Sequence, residues 1–147
     1  MISLWFILTV VHLIGLALGV GAASIKILLL VKCYKDHAYL PTWFKVVKPI
    51  TRLLITGLIL MTLSGIGWLL LGAGFTTLLI VKLVLVGMIW IVGPIIDNVL
   101  EPRFHRLAPA MGEMASNSFL QVQKQHLAIE VMAALLFYVI LVIGILL

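Results

Sequence analysis

Six ionisable side chains stand in stretches of sequence that otherwise carry almost none: His12, Lys26, Lys82, Asp97, His126 and Glu130. Their types are chemically capable. An imidazole binds haem iron or carries a proton, and a carboxylate or an amine binds or relays charge. In hydrocarbon, a charge near the bilayer centre costs at least about 2.5–3.5 kcal/mol on insertion scales, so each such residue needs a partner or a purpose.

Spacing divides the six into two groups. His12 lies ten residues along the first apolar run, roughly 15 Å deep at about 1.5 Å per residue. Lys82 lies seven residues into the third run, roughly 10 Å below the same face. The two fall in one half of the membrane. Lys26, Asp97, His126 and Glu130 all lie near the opposite surface and form an expected inner polar cluster. At 100° per residue, His12, Gly15, Gly19, Ala22, Ala23 and Lys26 share one face of a helix, within about 100° of one another. A stripe of small residues at every fourth position lets helices approach closely, and it equally lets a flat ligand lie against the backbone.

Haem is the first chemistry these residues suggest, with His12 as the iron ligand. A bis-histidine site from His12 and His126 is excluded, because they lie about 15 Å apart along the membrane normal and ligand bonds are near 2 Å. His37 and His105 fall in connections. A single haem on His12 leaves Lys82 as second ligand or charge partner, with Gly15 and Gly19 beneath the ring. Other metal sites lack ligands: there is one cysteine, no His-x-x-x-His pair, and Met111 and Met114 are a lone thioether pair. Neither hydrolase nor nucleotide-binding motifs occur, and the glycines lie inside apolar runs rather than between a strand and a helix.

The elements that must hold these residues follow from composition. Of the 147 residues, 64% are hydrophobic and 10% charged, and the mean hydropathy is +1.30. A soluble domain carries about a quarter charged residues, and a disordered chain is poor in apolar residues; both are excluded. An all-α, four-helix transmembrane bundle with up-down-up-down topology remains, as one membrane domain with spans over about 2–31, 53–71, 75–99 and 127–147. Alternating strand patterns are absent, which excludes a barrel. The segment opening at Met1 and Ile2 has no basic region before its apolar run, so the first span is expected to be retained rather than cleaved.

Charge orients the bundle. Lys32, Lys35, Lys45, Lys48 and Arg52 flank the first connection, and Arg103, Arg106 and Lys124 the last. The Gly72-Ala73-Gly74 turn and both chain ends have no Lys or Arg. The positive-inside rule therefore puts both long loops in the cytoplasm and both termini outside. The net charge of +5 then reflects topology rather than nucleic-acid binding, and the single Cys33 is expected to be a reduced thiol. Leu40–Lys48 alternates aromatics with lysines after Thr42, which predicts a short interfacial helix in the first cytoplasmic loop. Ser118 with Gln121 predicts a capping box opening the last helix before the membrane. The stretch 102–117, with Pro102, Pro109 and Gly112, reads as the most flexible part.

The segments His12-Leu-Ile-Gly15-Leu-Ala-Leu-Gly19 and Lys82-Leu83-Val84-Leu85-Val86 resemble the HemJ-type membrane protoporphyrinogen oxidases and the wider CopD-like superfamily of small four-helix membrane proteins. That resemblance implies that His12 and Lys82 serve haem b, and it implies a bacterial inner-membrane setting. A haem- or porphyrin-associated protein of redox or tetrapyrrole chemistry is the leading expectation. An accessory subunit of a larger membrane complex, or a homo-oligomer, is the second. A small transporter with Lys26, Asp97 and Glu130 lining a vestibule is the third, with Gly93-Pro94 as a break in the third helix.

Overall fold

The computed structural model describes residues 3–72, 74–110 and 113–147. Met1, Ile2, Ala73, Met111 and Gly112 lie outside the described residues. So the first position of the expected first span, the middle of the expected turn and one of the two paired methionines are not described.

The chain is an all-α bundle of four long apolar helices, each long and apolar enough to cross a membrane. α1 spans Leu4–Lys35 and opens on Ser3, whose hydroxyl accepts from the Phe6 N–H at 3.3 Å. A 3-10 turn over His37–Tyr39 joins it to α2, Leu40–Leu70. The third span is built in three pieces. These are α3 over Thr77–Ile95, a π turn over Ile96–Leu100 and α4 over Glu101–Leu107. α5, Asn117–Leu146, completes the bundle.

Several boundaries differ from those expected, each for a local reason. Leu40–Lys48 is no separate interfacial helix. It is the first part of α2, because Pro41 sits at the helix start, where a missing N–H costs nothing, and the helix runs on through Pro49. Thr42 is therefore inside α2 and caps nothing. The third span continues past Val99 to Leu107, so part of the supposedly flexible 102–117 stretch is helical, with Pro102 at its tolerant first turn. The last helix does begin early, but its cap is Ser116, whose hydroxyl accepts from the Phe119 N–H at 3.1 Å. Between α2 and α3 the chain turns at Gly72, whose φ of +90° is a conformation that favours glycine.

Two apolar cores divide the bundle. One, at the end bearing both long connections, holds Leu30, Cys33, Trp43, Phe104, Phe119 and Val122. Phe104 and Phe119 stack there with ring centroids 5.2 Å apart. The other lies further along and holds Ala23, Leu58, Met61, Ile89, Phe137 and Ile140. Lys26 sits on α1 between Ala23 and Leu30, and His126 and Glu130 sit on α5 between Val122 and Ala134. The polar residues thus occupy the layer between two apolar ones.

Close contact of α1 with α2 fixes the bundle's tightest seam. The expected stripe on α1 is buried from Gly15 through Gly19, Ala22 and Ala23 to Lys26. Gly57 of α2 is the residue that meets it. A methyl added at Gly57 would stand 2.5 Å from the Gly19 nitrogen and 2.6 Å from the Gly15 oxygen. One added at Gly15 would stand 2.8 Å from the Gly57 oxygen. The two backbones touch, which is how small residues hold helices together where no hydrophobic effect drives association.

Candidate functional site

Two sets of polar residues lie at different depths, and different helices build them. Near the end of the bundle away from the long connections, His12 on α1 faces α2. Its Nδ1 is 2.8 Å from the Ser64 Oγ, and its ring packs on Trp68 with centroids 4.8 Å apart. Ser64 has a single hydroxyl hydrogen, and it is directed to backbone carbonyls of its own helix, at 2.7 Å to Leu60 and 3.1 Å to Met61. With that hydrogen on the Leu60 carbonyl, Ser64 accepts from the His12 Nδ1–H, and the neutral ring then carries its lone pair on Nε2. A hydrogen bond that fixes one ring nitrogen and leaves the other for a metal is the usual outer support of an iron-binding histidine.

Lys82 comes from α3 and reaches α5, where a methyl added at Gly144 would lie 3.2 Å from its Nζ. Gly15 and Gly19 do not share this space. Gly57 already occupies their face, so a flat ring cannot lie on them, and the expected cradle is corrected: the stripe is a helix-packing surface. The test of fit for haem therefore divides. The imidazole suits an axial ligand, and the glycine stripe offers no seat.

The second set is the denser one. Lys26, almost fully buried, has its Nζ 2.7 Å from Glu130 Oε1, 3.2 Å from Asp97 Oδ1 and 3.7 Å from Glu101 Oε2. His126 is fully buried beside them, with Nε2 3.4 Å from Glu130 Oε1. Its ring stands edge-on to Trp43 and Phe104, at 5.9 and 5.2 Å. The structure thus brings together all four residues assigned to the inner cluster and adds Glu101, which the sequence alone left in a connection.

The third span's irregularity explains the addition. Pro94 has no N–H to give its helix, and just beyond it the ladder widens to a π turn in which the Glu101 N–H bonds the Ile96 carbonyl. Asn98 ties its side-chain amide to the Pro94 carbonyl at 2.9 Å. The helix then continues rather than ends, so Asp97 and Glu101 both face Lys26. A glutamate four residues after an aspartate was a legible signal, but only if the helix was known to run on through Pro102.

Thr62 and Ser24, at intermediate depth, each bond their own helix and one aromatic side chain of a neighbour. Thr62 donates to the Leu58 carbonyl at 2.7 Å and accepts from the Trp90 indole at 3.2 Å. Ser24 donates to the Val20 carbonyl and receives the Tyr138 hydroxyl, both at 2.7 Å. Among the described residues no group of three or more His, Cys, Asp or Glu is arranged to hold a metal ion.

Fold and polar layers together define the class: a small multi-pass integral membrane protein of four helices, with ionisable residues held inside the bundle. No family model, no curated protein and no solved structure matches the chain.

Proposed function

We propose that this is a haem-binding membrane protein of redox or tetrapyrrole chemistry, with His12 as an axial ligand and Lys82 as second ligand or charge partner. The observation that supports the reading is the Ser64–His12 hydrogen bond, which, with Nδ1 as donor, makes Nε2 the nitrogen that would ligate. Haem b, when bound, would supply one-electron chemistry that no side chain of this protein provides. Ser64 sets the tautomer, Trp68 restrains the ring, and Lys82 offers a charge toward an acidic substituent or, as the neutral amine, a second ligand. Gly15 and Gly19 take no part.

The test is an absorbance spectrum of the protein purified from cells supplied with haem. A Soret band that is lost in His12→Ala supports the reading. Its absence from the wild-type protein, or full haem retention in His12→Ala, overturns it.

A second reading is favoured by one observation. α3 buries Ile89 alone, while α1 buries a whole stripe. In that reading α3 packs against a further membrane chain or a second copy, and the protein is an accessory subunit. A stoichiometric partner co-purifying in mild detergent, with no haem, would decide for it.

A further inference from the structure

Lys26 has more acids around it than one ammonium requires. Fully ionised, Asp97, Glu101 and Glu130 would put three negative charges around its single positive one, in a layer closed above and below by apolar side chains. Uncompensated charge is unfavourable in such surroundings, and a group there sheds its charge by taking up a proton. Geometry shows which of the three is in surplus. Glu130 is the near counter-ion at 2.7 Å. Asp97 accepts a hydrogen bond from Lys26 at 3.2 Å and is the most exposed to solvent. Oε2 of Glu101 and Oε1 of Glu130 are both buried without a well-aligned hydrogen bond, but Glu130 is in ion-pair contact whereas Glu101, at 3.7 Å, is beyond hydrogen-bond distance.

Two further observations point to an exchangeable proton rather than a closed ion-pair set. The first is His126, which is fully buried with neither ring nitrogen hydrogen-bonded, yet aims Nε2 at Glu130. The second is a route. A cleft of about 200 Å³, lined by Lys48, Thr51, Arg52, Asp97 and Glu101, opens to the surface. Polar and charged side chains line it, with their carbon stems forming much of the wall, and it has room for several waters at about 30 Å³ each. Side-chain exposure falls from 24% at Asp97 to 13% at Glu101, which line the cleft, and then to 6% at Glu130 and 0% at His126, which lie behind it.

We propose that Glu101 is a proton-binding site in exchange with water through this cleft, with His126 as a further acceptor behind Glu130. Uptake forms an O–H bond on the Glu101 carboxylate as an O–H bond of hydronium in the cleft breaks and leaves water, and release reverses both changes. The groups around Glu101 are Lys26 from α1, Asp97 from the π turn, and Glu130 and His126 from α5; Lys48 and Arg52 from α2 line the cleft with it and form no ion pair with it. None of these residues serves the His12 site, so the two proposals stand or fall separately.

The test is infrared spectroscopy of the full-length protein in nanodiscs near neutral pH, in H₂O and D₂O. A carboxylic-acid C=O band that moves to lower frequency in D₂O is expected in the wild type. It is expected to vanish in Glu101→Gln, which mimics the protonated acid and keeps the fold, and to persist in Glu113→Gln. Should Glu101→Gln not fold, Glu101→Asp is expected to displace the band instead. No such band in the wild type, or a band unchanged by either Glu101 substitution, overturns the proposal. So does a band that disappears on adding sodium at constant pH, which would make the site a cation site.

Discussion

The Nδ1 of His12 and the Oγ of Ser64, on neighbouring helices, stand 2.8 Å apart, and the same Oγ lies 2.7 Å from the Leu60 carbonyl of its own helix. With the Ser64 hydrogen on that carbonyl, Nδ1 donates and Nε2 is the nitrogen left to ligate. That makes Ser64 the residue through which the haem reading is most sharply tested.

Ser64→Ala is expected to keep the fold, since it removes one hydroxyl, and to weaken haem binding about 10–100-fold, the usual cost of losing an outer-shell partner of a ligand. Ser64→Thr is expected to restore most of the affinity. Titration of haem into the apoprotein, followed at the Soret band, measures both.

The α1–α2 seam predicts opposite signs for glycines on one helix. Gly57→Ala puts a methyl 2.5 Å from the Gly19 backbone nitrogen, and overpacking of this kind is expected to cost about 1–3 kcal/mol. Gly65→Ala meets nothing within 4 Å and is expected to stabilise α2 by roughly 0.5–1 kcal/mol, the helix-interior difference between the two residues. Cys33 supplies the measurement. It is the only cysteine and is buried, so its alkylation by a maleimide in detergent during a thermal ramp reports unfolding.

Lys26→Met removes the shared cation and leaves Glu130 and its neighbours buried without compensation. Breaking a buried pair from one side costs about 3–5 kcal/mol, and the same thiol-protection assay is expected to show a correspondingly early transition. Combining Lys26→Met with Glu130→Gln should recover part of the loss. No recovery would mean that the ammonium's packing, and not its charge, holds the layer.

Phe104 is fully buried between Phe119 and His126 and anchors α4 to α5. Phe104→Ala is expected to cost about 3–5 kcal/mol and to raise Cys33 reactivity more than an equal truncation at exposed Phe75. Alkylation rates of the two variants at one temperature check this.

Much of this protein is legible in the residues themselves. Long uncharged runs can only be membrane helices, since lipid leaves no backbone group unpaired, and the small-residue period on α1 marks the face it buries. Depth along each run also separates His12 and Lys82 from the residues near the other surface. Sequence could not say that Gly57 fills the Gly15–Gly19 face, because that depends on where α2 crosses α1. Nor could it turn Glu101 inward. Pro94 and Pro102 both read as breaks, yet one is absorbed by a π turn and the other sits at a first helical turn, where no N–H is needed. The local pattern sets what each helix can bury. Only the crossing of four helices decided which ionisable groups share a layer, because that depends on positions far apart in the chain.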